Sequence, residues 1–333
     1  MIAQLSANYI KTRPSKTLTR LVSYTFFEGR PLTTKGRWFN PVVFSILKSI
    51  STSNRRFFPI QKPIFILGTG RSGTTILGIV LSMHKDVGYL NEPKAIWHVI
   101  HPDEDIIGSY SSGNAKYRLY AKDMTEEMRQ RALQMFGAFL SATGTKRIVD
   151  KYPELIFRVD YVRALFPDAR FIFLVRNGWD TCTSIANWSD RNGIQLKGET
   201  HDWWGVNSRK WNLLVNQLVS TDNDLTDIVE DIKNTNCHID RAIVEWVVTM
   251  REGLSLIETK SEYIHTVRFE ELTSEPKEIL SSLCNFCELP MDKTFFEYAR
   301  HTLHSVPPRE HFDMHPKLAP FFYDTMTRLG YNT

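Results

Sequence analysis

Two stretches of this sequence carry residue types that grip phosphate. In the first, Ile64-Phe-Ile-Leu-Gly-Thr-Gly-Arg-Ser-Gly-Thr-Thr75, an apolar run ends in a glycine-rich turn and a helical pattern follows. Gly68, Gly70 and Gly73 permit left-handed backbone angles and a close approach of ligand. The amides of Arg71, Ser72, Gly73, Thr74 and Thr75 would converge at a helix N-terminus, where unpaired N–H groups and the helix dipole favour an anion. The spacing Gly68 to Gly73 fits a nucleotide phosphate loop, with Thr75 in its Ser/Thr slot, but the lysine slot holds Thr74. Without that lysine the usual γ-phosphate partner is missing, which argues against an NTPase or an ordinary kinase. The cation of this loop is Arg71.

The second stretch is Ala169-Arg-Phe-Ile-Phe-Leu-Val-Arg-Asn-Gly-Trp-Asp-Thr-Cys-Thr-Ser184, again strand, turn and helix. Arg176 stands at the carboxyl end of the strand, Asp180 is a helix-cap or first-turn acid, and Ser184 lies eight residues after Arg176, inside the helix. An arginine fork with a nearby hydroxyl makes a second phosphate clamp. Two grips imply a nucleotide phosphorylated at both its 5′ and 3′ positions. The expected nucleotide-binding set is therefore Gly70, Arg71, Ser72, Gly73, Thr74, Thr75, Arg176 and Ser184.

These grips need a scaffold that brings strand ends together. From Pro63 onward short β-branched or aromatic runs predict strands at Ile64–Leu67, Val87–Leu90, Arg147–Val149, Phe171–Val175 and Ile264–Arg268. Helical patterns separate them at Thr74–Ser82, Glu126–Ser141, Pro153–Leu165, Trp179–Trp188, Arg241–Thr259 and Pro276–Cys287. Such alternation predicts an α/β protein with a doubly wound parallel sheet flanked by helices, whose ligands sit at the carboxyl ends of strands. Residues 60–333 form this domain. Residues 190–240, polar with Gly, Asn and Asp clusters, read as a lid or insertion for the acceptor.

Residues 1–59 form a separate basic extension, with short helices at most. Ten Lys/Arg before Phe58 against Glu28 alone give this leader +9, and with a whole-chain charge of +4 the remainder carries −5. A basic leader on an acidic body points to an anionic surface such as a membrane, or else to an extension packed on the body. No apolar run is long enough to span a bilayer, and no signal-peptide pattern opens the chain. Cys284 and Cys287 form a CxxC inside an apolar helical pattern, without the second pair a zinc site needs, and read as core thiols of a reducing compartment.

The two phosphate segments resemble the 5′-phosphosulfate loop and the 3′-phosphate motif of sulfotransferases that use 3′-phosphoadenylyl sulfate (PAPS). Two later segments extend the resemblance. Thr266-Val-Arg-Phe-Glu-Glu-Leu272, followed by Pro276, is similar to a late strand–helix unit of the family. Phe321-Phe-Tyr-Asp-Thr-Met-Thr-Arg-Leu-Gly-Tyr331 is similar to the closing helix of the branch with tyrosylprotein and some bacterial members. The chain departs from the family at Gly178, where proline is frequent. It also lacks a Gly-rich basic segment for the 3′-phosphate, a contact that Arg300 or Arg309 would then supply. The resemblance implies a P-loop NTPase-like sulfotransferase fold, PAPS as co-substrate and no metal.

Transfer of a sulfuryl group needs cations where charge gathers and a base for the acceptor's proton. In that chemistry Glu92 is the expected base. It follows Arg71 by 21 residues, one loop–helix–strand unit, and Pro93 fixes its turn; the tyrosylprotein branch resembles this spacing, with an acid as base. A cap for the next helix is the plainer role. His98, His101 and His201 are rival bases. Lys151, between a strand and Pro153, would neutralise the bridging oxygen or the sulfonate together with Arg71; a surface pair with Asp150 is its plainer role. Trp203, Trp204 and Trp211 would either line a sugar site or fill the core.

The expected reaction is sulfuryl transfer to a hydroxyl, of a saccharide before tyrosine, lipid or phenol. The alternatives are an ATP-dependent phosphotransferase and a non-catalytic nucleotide-binding scaffold. No nucleic-acid module is recognisable. Golgi members of the family carry a membrane anchor, so the resemblance places this chain in the cytoplasm, with peripheral membrane contact through its basic leader.

Overall fold

The computed structural model describes residues 2–31 and 33–332. In chain order its strands are β1 (Ile64–Gly68), β2 (Val87–Asn91), β3 (Arg147–Lys151), β4 (Arg170–Val175), β5 (Ile194–Leu196), β6 (Glu199–Asp202), β7 (Gly205–Val206) and β8 (Ile264–Arg268). Five of them make one parallel sheet in the order β2-β3-β1-β4-β8. The remaining three make a small antiparallel sheet, β5-β6-β7. All five strands expected of the main sheet are present, with ends extended by at most two residues.

The sheet is buried on both sides because alternate side chains of each strand enter different cores. Phe65, Leu67, Phe171 and Phe173 belong to one apolar cluster, while Ile64, Ile66, Ile172 and Leu174 belong to the other. From β1 the chain passes through the helix Thr74–Ser82 to the edge strand β2, returns to β3, and then crosses β1 to reach β4. The direction of winding thus reverses around β1, and a crevice opens at the carboxyl ends of such strands. Register then decides what meets there. Gly68 pairs with Leu174, Asn91 with Lys151 and Val175 with Arg268, so the phosphate loop, Glu92, Lys151 and Arg176 all issue from one edge.

The basic N-terminal residues are helical and docked on the body. Helices span Ala7–Thr12, Pro14–Val22 and Asn40–Ser51. Arg20, 1% exposed, pairs with Glu28 at 2.6 Å and donates to the Tyr89 carbonyl of β2 at 3.1 Å. Lys16 donates to the carbonyls of Lys85 and Val87 at 2.9 and 2.7 Å, and Arg13 grips both oxygens of Asp292 at 2.7 and 2.8 Å. Those cations are used internally. Lys11, Lys35, Arg37, Lys48, Arg55 and Arg56 make no ion pair among the described residues. No helix among the described residues is long and apolar enough to cross a membrane. Cys284 and Cys287 lie buried in the helix Pro276–Cys287, and burial lifts their thiols to about 11 and about 12.

Candidate active site

The phosphate loop joins β1 to the helix Thr74–Ser82, and its shape follows from three backbone positions. Gly68 has φ +142° and Gly73 φ +104°, the latter as the residue before the helix. A Cβ on Gly73 would stand 2.3 Å from the Phe269 ring, and one on Gly68 2.6 Å from the Leu174 carbonyl oxygen. The third left-handed residue is Arg71 (φ +69°), not Gly70 as its residue type suggests. Gly70 is required for another reason: the Trp203 ring packs on it, 2.5 Å from where a Cβ would be. Ser72 closes the turn, its hydroxyl donating to the Thr69 carbonyl at 2.7 Å. No oxygen of the described residues accepts from the amides of Gly70, Arg71, Gly73, Thr74 and Thr75. Unpaired amides around one turn are the physical requirement for holding an oxyanion.

The second grip meets the first directly. Arg71 donates from Nε to the Ser184 hydroxyl at 3.2 Å, although 113 residues separate them in sequence. Ser184 reaches this point on the helix Gly178–Asn192, which Asn177 caps by accepting from the Trp179 amide at 2.8 Å. Gly178, the departure from the family pattern, lets that helix press on Phe322, 2.7 Å from a would-be Cβ. Arg176 lies over the Phe269 ring at 4.3 Å and reaches Asp180 at 3.5 Å. Asp180 also accepts from the Arg309 amide at 2.8 Å, which brings Arg309 into the same neighbourhood. The one side-chain hydrogen bond of Arg300 among the described residues is with its neighbour His301. Burial lowers the Arg71 guanidinium, and the charges of Arg176, Arg309 and Arg191 lower it further. Crowded cations that repel one another are stabilised by a multiply charged anion. The residues present fit a nucleotide with two phosphate groups.

Glu92 sits one residue beyond β2 with φ +50°, a left-handed angle that disfavours a side chain by about 1 kcal/mol. Its amide donates to the Lys151 carbonyl at 2.7 Å, and Lys94 donates to the Glu92 carbonyl at 2.7 Å, so the turn is pinned from both sides. Alternation along β3 separates Asp150 from Lys151. Asp150, 0% exposed, accepts from the Trp97 indole at 2.8 Å. Lys151 instead pairs with the Glu92 carboxylate, and Lys94 lies 3.7 Å from its other oxygen. A surface pair of Asp150 with Lys151 is thereby excluded. Burial raises the Glu92 carboxyl, but Lys151 and Lys94 outweigh it and hold it at about 2. Burial lowers the Lys94 ammonium, while Glu154, Glu92 and Glu104 outweigh that and raise it.

Glu92 and Gly70 line one cavity of about 130 Å³ together with Trp188, Trp203, His201 and Lys210. Of the three tryptophans expected in the lid, only Trp203 lines it; Trp204 and Trp211 are 0% and 1% exposed, and are core. Trp203 is fixed by donating its indole N–H to Glu245 at 2.6 Å, and Lys210 pairs with the same carboxylate. Of the rival bases, His201 lines this cavity, whereas His98 and His101 do not. Lys94, Glu154, Trp188, Lys210 and Glu245 escaped the sequence reading. Lys94 had a signal, its place two residues after Glu92. Glu154 and Trp188 had one too, three residues after Lys151 and one helical turn after Ser184, whereas Lys210 and Glu245 are brought in by packing of distant elements.

A parallel sheet thus presents at its carboxyl edge a glycine-rich loop that carries an arginine and lacks the P-loop lysine. The sequence profile of the Sulfotransferase family matches residues 63–293, well over half of the chain, and the chain belongs to that family. A protein of Aquifex aeolicus is 25% identical over 264 residues, 78% of this chain and 29% of that protein. The protein-tyrosine sulfotransferase of Drosophila melanogaster is 30% identical over 144 residues, 41% of this chain and 28% of that protein. The chain therefore spans less than a third of the length of either curated relative. Among solved structures, the sulfotransferase domain from the curacin biosynthetic pathway aligns over 82% of this chain and 99% of that one, at 16% identity and a TM-score of 0.48.

Proposed function

We propose that the protein transfers the sulfuryl group of PAPS to an acceptor hydroxyl, that of a saccharide. The observation that carries this reading is the Arg71–Ser184 hydrogen bond, which joins two phosphate grips beside the Glu92–Lys151 pair. Gly70, Arg71, Ser72, Gly73, Thr74 and Thr75 would hold the 5′-phosphosulfate, and Arg176, Ser184 and Arg309 the 3′-phosphate. PAPS supplies the sulfuryl group on a phosphate leaving group. Everything else falls to the protein.

Glu92 is the base that takes the acceptor's proton. At rest its carboxylate is held at about 2 by Lys151 and Lys94 against the effect of burial, ionised but weakly basic. When Lys151 turns its ammonium from Glu92 toward the oxygen that gathers charge, Glu92 loses the cation that suppresses its proton affinity. One movement then supplies both charge neutralisation and a stronger base. Arg71 adds a second positive charge at the same edge. Trp203 over Gly70 and the surrounding Trp188 and Phe157 exclude water and offer aromatic faces to a sugar ring. Free thiols at Cys182, Cys237, Cys284 and Cys287 suit a cytoplasmic enzyme. Lys11, Lys35, Arg37, Lys48, Arg55 and Arg56, without ion pairs among the described residues, suit contact with an anionic membrane or polymer.

Mass spectrometry of reactions containing PAPS and either neutral and acidic oligosaccharides or tyrosine peptides tests the acceptor. Gain of one sulfuryl group on an oligosaccharide supports the reading. Sulfation of the tyrosine peptide alone, the activity named for the Drosophila relative, would move the acceptor to protein.

A further inference from the structure

A second opening adjoins the active-site cavity and is unlike it in charge. It is a groove of about 1060 Å³, and Ser109 lines both it and the cavity that contains Glu92. One wall comes from the N-terminal residues, with Arg37, Trp38, Phe44 and Lys48; Tyr110 and Arg131 stand across from them. The same N-terminal segment also reaches the cavity, where Pro31 and Thr33 are in its lining. Cavity and groove thus share an edge built by one stretch of chain.

The lining of the groove contains three permanent cations and no Asp or Glu. Arg131 is partly engaged, with Glu127 and the Val99 carbonyl. Arg37 and Lys48 make no ion pair or side-chain hydrogen bond among the described residues. Aromatic faces stand between these charges: Phe44 packs edge-on against Tyr110 at 5.0 Å, and Trp38 is 79% exposed. The dividing wall between groove and cavity is rigid. Asp105 accepts from the amides of Gly108, Ser109, Tyr110 and Ser111 at 2.7 to 3.1 Å, which fixes the loop and occupies the nearby acid.

We propose that the groove is an outer acceptor subsite that binds an acidic saccharide chain, whose inner residue presents its hydroxyl to Glu92. This rests on the sulfotransferase reading and adds the class of acceptor. Aromatic faces take the sugar rings, and Arg37 and Lys48 take the carboxylate or sulfate groups. A concave trough that adjoins the catalytic cavity at Ser109 suits a chain whose outer residues rest in the trough while its end reaches the cavity.

The test is calorimetry on the full chain at low ionic strength, with a uronate-containing hexasaccharide, a neutral hexasaccharide of similar length, poly-glutamate and anionic vesicles as probes. Adenosine 3′,5′-bisphosphate binding is measured on the same samples. The acidic hexasaccharide is expected to bind at least about tenfold tighter than the other three probes. The double variant Arg37→Glu, Lys48→Glu should lose about tenfold for it while binding the bisphosphate normally. Trp38→Ala, which changes no charge, should weaken both saccharides together. Equal binding of the two saccharides, no saccharide binding, preference for vesicles or poly-glutamate, or an unaffected double variant would each overturn the subsite. Failure of the unaltered protein to bind the bisphosphate would instead overturn the sulfotransferase reading beneath it.

Discussion

Replacing Lys151 by methionine keeps the length and apolar stem of a side chain that is 2% exposed, and removes its charge from Glu92. Burial pushes the Glu92 carboxyl up, and Lys151 and Lys94 bring it from the ordinary 4.5 down to about 2. A carboxyl lowered on folding stabilises the protein above its unfolded value, and that stabilisation is lost as pH falls from 4.5 toward 2. The full drop corresponds to at most about 3 kcal/mol at neutral pH. The Glu92 side chain is 38% exposed, so solvent screening cuts the contribution to about 1 kcal/mol. Lys94, 3.7 Å away, keeps part of it. Lys151→Met should therefore cost about 1 kcal/mol or less at pH 7. Turnover should fall by about 10²–10³, the scale expected when one group that stabilises developing charge is lost.

Two assays separate these effects. Denaturant unfolding at several pH values should show a difference between variant and unaltered protein at pH 7 that shrinks from pH 5 to pH 3. Release of adenosine 3′,5′-bisphosphate from PAPS should be slowed, with the acid limb of the rate profile moved upward, because a Glu92 without Lys151 protonates more easily. Turnover within about threefold of the unaltered protein, with nucleotide binding intact, would refute the role given to Lys151. A stability difference that grows toward acid pH would refute the ion-pair reasoning itself.

Three further outcomes follow from the same geometry. Glu92→Gln should leave bisphosphate binding unchanged in calorimetry and lower turnover by about 10²–10⁴. Arg176→Ala should weaken adenosine 3′,5′-bisphosphate more than ADP, which has no 3′-phosphate, so the ratio of their dissociation constants falls by about tenfold or more. Gly73→Ala adds a Cβ 2.3 Å from the Phe269 ring at φ +104°, and should lower stability in denaturant titration by about 2 kcal/mol while weakening the nucleotide.

What could be read from the residues, and what could not, follows from where their partners lie. The five main strands were legible because strands buried on both faces are written as short unbroken apolar runs, as in Ile64–Gly68. The phosphate loop was legible because its partners are its own amides. By contrast β5 and β6 are short, with polar residues such as Gln195 and Glu199 and only His201 buried, and show no apolar alternation to betray them. The N-terminal helices were hidden by their chemistry. Arg20 and Lys16 count as surface charge in a sequence, yet Arg20 is 1% and Lys16 4% exposed, because Glu28 and strand-end carbonyls from distant segments receive them. Trp203 and Trp204 are adjacent and identical in type, and only the fold decides that one covers Gly70 while the other is core. Glu245 could not be assigned to the site because its partners, Lys210 and Trp203, lie 35 and 42 residues away.

The most direct measurement of the central claim is calorimetric titration of the purified protein with adenosine 3′,5′-bisphosphate, beside ADP and ATP. Joined phosphate grips at Arg71, Ser184 and Arg176 predict selective, tight binding of the bisphosphate. Preference for ATP, or equal affinity for all three nucleotides, would contradict the two-grip site and return the chain to a phosphotransferase or a nucleotide-binding scaffold.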